Sequence, residues 1–208
     1  MFNEDYDTLV RNMRARDFCK DITAPIMAKY ATAPERIAAV YAFVSNYMKW
    51  NEVVGYIPDQ NIKQTFDERT GSAPDINALL ISMLRAVELE ADPVILSTIS
   101  NGQVHPIYPI LDKYNYMIAR VMVGDQYLLL DATAKHMPAG LLPTRCLNQR
   151  GYAISKTRPG WVKINPRQGY ERSTMCMLNM TDDGVMHGSI NSKESGYNGL
   201  KIRSKLRS

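Results

Sequence analysis

Nucleophilic or metal-assisted chemistry needs thiols, imidazoles and carboxylates brought close together, and this sequence scatters the first two. Its three cysteines, Cys19, Cys146 and Cys176, and its three histidines, His105, His136 and His187, lie far apart, with no Cys-x-x-Cys and no His at metal-ligand spacing. That spacing predicts no metal site and no cofactor built on one, and it leaves buried, inert thiols as the simplest reading. Polar groups concentrate instead in Gly71-Ser72-Ala73-Pro74-Asp75. The Ser72 hydroxyl could attack a carbonyl only with a base beside it, and none is evident. With Asp75 three residues on, Ser72 reads as a helix N-cap in a capping box.

The helix opened by that cap is the organising element. Ile76, Leu79, Leu80, Met83, Leu84 and Val87 recur at the offsets of one helical face, and neighbouring apolar residues widen the face enough to predict burial on most sides. Pro74 is compatible with a first turn, where N–H groups need no intrahelical acceptor. Downstream, residues 114–123 and 126–131 form apolar runs separated only by Gly124-Asp125, which predicts a hairpin with a two-residue turn. Counting from the turn puts Tyr116 and Asp131 roughly opposite each other at the open end. A phenol with an ordinary pKa of about 10 is no general base near neutrality, so a Tyr116 hydroxyl donating to Asp131 is expected there.

Taken together, 71–85, Val94-Ile95-Leu96-Ser97-Thr98, 115–118 and Leu128-Leu129-Leu130-Asp131-Ala132-Thr133 resemble the core of bacterial transglutaminase-like domains. In that family a Gly-x-Cys opens the helix, an Asn-His stands on a later strand and an Asp ends the next. By position the Cys corresponds to Ala73, the His to Tyr116 and the Asp to Asp131. The resemblance therefore implies a papain-related helix-on-sheet fold whose catalytic Cys and His are not retained. A single engineered knock-out would not replace both, so natural loss of the triad is the implied history. It further implies a larger, often exported bacterial protein with flanking β-domains. The chain ends then read as interior points, and the compartment as periplasmic or otherwise extracytoplasmic.

The rest of the chain is consistent with an α+β domain. Residues 2–18 and 22–30 are two apolar segments, the first amphipathic. Thr32-Ala33-Pro34-Glu35 opens a helix striped by Ile37, Val40, Tyr41, Val44 and Met48, and residues 52–67 read as an irregular loop. Pro93 begins a strand, the two prolines of 105–112 mark a loop over the cleft mouth, and 151–154 and 161–164 are short strands. Residues 173–180 and 184–192 form a further hairpin. The expected division is a transglutaminase-like core over 1–160 and a partial C-terminal β-lobe over 161–208.

Apolar residues at 45% and charged residues at 22% are globular values that argue against intrinsic disorder. The net charge of +4 resides in the tail, where Lys193, Lys201, Arg203, Lys205 and Arg207 face Glu194 alone. A balanced body carries no nucleic-acid footprint, and no apolar run reaches membrane-span length. Three functional classes remain: an inactive domain binding a peptide or glycan, an enzyme with a non-standard nucleophile, and a structural spacer. For the first, Trp50, Tyr56, Ser72, His105, Tyr116 and Asp131 are the expected cleft residues. The oligomeric state is open.

Overall fold

The structure is a computed structural model describing residues 16–105, 107–135, 137–165, 169–197, 199 and 202, without the side chains of Arg16 and Tyr170. The chain divides into two compact units, Met1–Pro166 and Arg167–Ser208.

Among the described residues the first unit runs from helices α1 (Arg16–Lys29) and α2 (Ala33–Tyr47) to β1 (Lys49–Trp50), α3 (Ile62–Glu68), β2 (Thr70–Gly71) and α4 (Ala73–Ala86). Then come β3 (Ala91–Leu96), β4 (Tyr116–Val123), β5 (Gln126–Leu130), β6 (Gln149–Ala153) and β7 (Gly160–Ile164). Two expectations are corrected. The segment 22–30 is not separate: α1 runs through Pro25, which costs one i to i−4 bond without ending the helix. The segment 52–67 is not all loop, because Asn61 caps α3 by accepting from the Gln64 N–H. Most of the amphipathic segment 2–18 lies outside the described residues.

Helix α4 is buried at every residue except Arg85, as its wide apolar face requires. Its start is fixed by more than the local cap. Asp75 accepts from the Ser72 N–H at 3.0 Å and the Ser72 hydroxyl at 2.6 Å, while its other oxygen takes the N–H groups of Asp59 and Gln60 at 2.9 and 3.0 Å. One carboxylate thereby ties the 51–60 segment to the helix.

Strands β3 to β7 form one antiparallel sheet in the order β5-β4-β3-β6-β7. Strand β7 is an edge strand of this sheet. Pro93 occupies a central strand because its carbonyl faces β6, accepting from Ile154 N at 2.9 Å. Its missing N–H points the same way, one step beyond the Val94–Ala153 pair where that ladder ends. The sheet curls until its edges approach, with the Tyr127 hydroxyl of β5 donating to the Lys163 carbonyl of β7 at 3.4 Å. One face packs on α4 through Ile95, Met117, Ala119, Val121 and Leu130. The inside of the curl encloses Val94, Leu96, Ile118, Leu142, Val162 and Ile164. A Cβ at Gly151 would stand 2.7 Å from Val94 and 2.8 Å from the Ile95 carbonyl, so the curl needs glycine there.

The second unit holds the hairpin β8 (Tyr170–Met180) and β9 (Met186–Ser195), closed by a Thr181 to Gly184 turn with the Gly184 N–H on the Thr181 carbonyl. Met175, Met177, Leu178, Met180, Met186 and Ile190 are exposed on it. An isolated hairpin is marginal in water.

Because Asp75 holds four donors, Asp75→Ala should destabilise the protein by about 3 kcal/mol, more than an exposed cap, by leaving one buried and two part-buried N–H groups and the Ser72 hydroxyl without their acceptor. Urea unfolding measures this. A loss below about 1 kcal/mol would show that water satisfies those donors equally well.

Candidate functional site

The site forms where the start of α4 meets the open end of the β4–β5 hairpin. Parallel pairing of β1 with β2 brings Trp50 beside Gly71, and the chain then turns so that the Val53 carbonyl comes back over the helix start. That oxygen accepts from the Ala73 backbone N–H and from the Trp50 indole Nε1–H, each at 3.0 Å. Two donors converging on one oxygen beside a helix start make the donor geometry that stabilises an oxyanion. Here the occupant is the chain's own peptide carbonyl. Ala73 is fully buried and contributes a methyl.

Across from it, Asp131 is a fully buried carboxylate. One oxygen accepts from Asn77 Nδ2 at 3.0 Å, the Thr133 N–H at 3.1 Å and the Thr133 hydroxyl at 2.8 Å. The other accepts from the Tyr116 hydroxyl at 3.0 Å and from the Arg145 guanidinium at 3.4 Å, with the Cys146 thiol at 3.7 Å. A carboxylate offers about four lone-pair sites, so Asp131 is saturated. Asn77 completes the support by donating to the Met117 carbonyl at 2.9 Å and accepting the Ala132 N–H at 3.0 Å.

Proton counting shows why Arg145 belongs here. Tyr116 and Thr133 have one hydroxyl proton each, both can go to Asp131, and their oxygens stand 3.1 Å apart. Arg145 donates to both, with Nε and a terminal nitrogen on Tyr116 at 3.2 and 3.0 Å. Its guanidinium also lies 4.4 Å from the Trp50 ring centroid and 5.3 Å from that of Tyr116. Arg145 thus fills the space between Trp50 and the hairpin end.

Burial, reinforced by the Asp131 charge, pushes the Tyr116 phenol far above its ordinary pKa, so it is a neutral donor at any physiological pH. Burial opposes the Arg145 charge, yet Asp131 and Tyr116 hold its pKa above the usual value. Burial and Asp131 raise the Cys146 thiol well above the ordinary range, and burial alone lifts Cys19 to about 12. Neither is a thiolate nucleophile.

A model of the transglutaminase-like superfamily matches residues 16–132, more than half of the chain. The chain belongs to the transglutaminase-like superfamily. No curated protein matches it. Among solved structures, a protein from Parabacteroides distasonis, provisionally described as a protease, superposes with a TM-score of 0.57 at 14% identity, over 77% of this chain and 30% of its own. One from Cytophaga hutchinsonii, provisionally described as a cysteine protease, gives 0.47 at 14% identity, over 90% and 53%. A structure described as a TGase gives 0.35 at 13%, over 66% and 35%. The chain spans about a third of the length of the first and half of the second. The first likeness supports the α+β fold.

In this transglutaminase-like domain the expected site residues separate into two groups. Ala73 and Tyr116 share one buried cluster with half-buried Trp50 packed against it, and Tyr116 bonds Asp131. The hairpin register differs from the expected one: Ala119 faces Leu130, which on extension levels Tyr116 with Thr133 and not with Asp131. Contact survives because Asp131 lies just past the end of β5. Ser72 is a buried cap, its hydroxyl committed to Asp75. Tyr56 packs on the main helical core. His105 is exposed, accepts from the Ile107 and Tyr108 N–H groups of its own loop and stacks on Tyr108. His136 lies outside the described residues. The residues missed by sequence reasoning are Arg145, Thr133, Asn77 and Val53. Asp131-Ala132-Thr133, a carboxylate two residues before a hydroxyl, carries a local turn signal for Thr133. Among the described residues no cluster of His, Cys, Asp and Glu suits a metal ion.

Two measurements follow from these contacts. Arg145→Met should destabilise the domain by about 3 kcal/mol by stranding a buried carboxylate, and adding Asp131→Asn should recover part of that loss. Strictly additive losses would show the pair uncoupled. In the native protein, iodoacetamide should label exposed Cys176 alone at pH 8, because the Cys19 and Cys146 thiols are buried and protonated. The sign for stability is set by raised folded pKa values. The contribution is complete below the unfolded thiol pKa of about 8.5 and is lost as pH rises beyond it.

Proposed function

We propose that this is a catalytically silent transglutaminase-like domain, a scaffold or binding module within a longer bacterial protein. The observation that carries the proposal is internal satisfaction of the site. The Val53 carbonyl takes both converging donors, Asp131 has its full complement of partners, and Ala73 presents a methyl. Acyl transfer needs a nucleophile, a base and free oxyanion donors, and each of the three positions is otherwise engaged. Ala73, Tyr116 and Asp131 stand where the family resemblance puts Cys, His and Asp. Filling of the space by Arg145 directs any ligand, peptide or glycan, to the domain's surface and away from the old cleft. A Ser72-based enzyme finds no support, because the hydroxyl proton goes to Asp75.

The test is hydroxamate release from a glutamine donor peptide with hydroxylamine. The native chain should give only the buffer blank, and glutamine-dependent product would overturn the proposal. Ala73→Cys with Tyr116→His should also stay blank, because the Val53 carbonyl still holds the donors. Turnover by that variant would show that the donors are free to leave Val53.

A further inference from the structure

The hairpin of the second unit leaves one strand edge both unpaired and uncharged. The Thr181 N–H donates to the Val185 carbonyl at 2.9 Å, and antiparallel bonding alternates from there, so Met175, Met177 and Asn179 point their backbone groups at β9. Those of Thr174, Cys176 and Leu178 point to the outer edge of β8, and none of the described residues pairs with that edge. Residues 173–180 run along it without a charged side chain. Strand β9 differs, because it carries Gly188, Lys193 and Glu194, which weaken or blunt an edge. The side chains of Cys176, Leu178, Met180, Met186 and Ile190 share one face of the hairpin, and the last four are at least 57% exposed.

We propose that the outer edge of β8 pairs antiparallel with the same edge of a second copy of this chain, about a two-fold axis at Cys176, to make one four-stranded sheet. The edge is self-complementary in that register. A two-fold axis normal to the sheet keeps every side chain on its own face, so Cys176 meets its counterpart, while Thr174 meets Leu178, Met175 meets Met177 and Ser173 meets Asn179 of the second copy. Arg172, paired with Glu194 at 3.1 Å, meets Met180 at the end of the run. No charge then faces a like charge. An axis at Met177 would level Glu171 with Asp183, two acids, and one at Met175 would set Arg172 against Leu178 inside the run. Charge therefore selects one register, in which the uncharged run lies against its own reverse. Four strands with an apolar face also meet the condition for independent stability that two strands fail. Dimerisation is independent of whether the former catalytic positions are silent, and the hydroxamate assay reads only the latter.

The experiment is sedimentation equilibrium of this chain over a concentration series, in which a species of twice the monomer mass is expected. Cys176→Pro should weaken dimerisation about thirtyfold or more, because the Cys176 N–H groups at the axis are lost while the β8–β9 ladder, which does not use them, stays whole. Ile190→Pro removes an outward N–H from the β9 edge instead and should leave dimerisation unchanged. If either proline variant unfolds, hydrogen exchange of the native chain decides. The Thr174, Cys176 and Leu178 amides should then exchange at least about tenfold more slowly at dimer concentration than on dilution. A monomer up to about 0.2 mM, which would leave the edge to a strand of some other partner, would overturn the assignment. So would a dimer indifferent to Cys176→Pro, an equal loss from folded Ile190→Pro, or edge amides unprotected in the dimer.

Discussion

A single buried charge governs the site. Asp131 has no exposed surface, and an unpaired carboxylate there would cost several kcal/mol, a large share of the stability of any domain this size. The domain meets that constraint with donors from four places: Asn77 on α4, Tyr116 on β4, Thr133 just past β5, and Arg145 from a turn after the hairpin. The same four residues therefore cross-link helix to sheet. Asn77 does so doubly, since it also ties Met117 and Ala132. Helix position, hairpin end and the returning segment are held by one carboxylate.

That arrangement leaves no lone pair of Asp131 free for an imidazole. A triad Asp keeps an acceptor turned toward an imidazole, whereas here the available lone pairs are shared among hydroxyls, an amide, a backbone N–H and a guanidinium. Arg145 is the decisive member. It neutralises Asp131, bridges the two hydroxyl oxygens whose protons are spent, and lies against Trp50, whose indole N–H is fixed on Val53. The two halves of the site thus meet through the Arg145–Trp50 contact.

Local pattern reached the parts of this that local pattern specifies. The Gly71 to Asp75 cap, the buried face of α4 and the Gly124-Asp125 turn were legible because each is written within a few residues, and Gly124 takes the φ of +62° that such a turn needs. Proximity of Tyr116 to Asp131 followed from the hairpin alone, although a register error of two residues shows that strand ends are set by packing and not by counting. Helix α3 escaped notice because seven mostly polar residues with only Ile62 and Thr65 buried carry almost no periodic signal. Arg145 was invisible for a different reason. It stands in a short turn with no repeat around it, and its importance comes from a partner fourteen residues back that is buried by other elements.

The curl of the sheet links the buried site to the outward face of β7. Gly151 lets β6 lie tight against β3, so Val162 and Ile164 turn inward and the alternate residues, Trp161 and Lys163, are forced outward on β7. Strand alternation leaves no other option, because a one-residue slip would bury Lys163 in the cluster that holds Tyr116 and Cys146. The geometry that buries Tyr116 inside the curl therefore also fixes which side chains of β7 face outward.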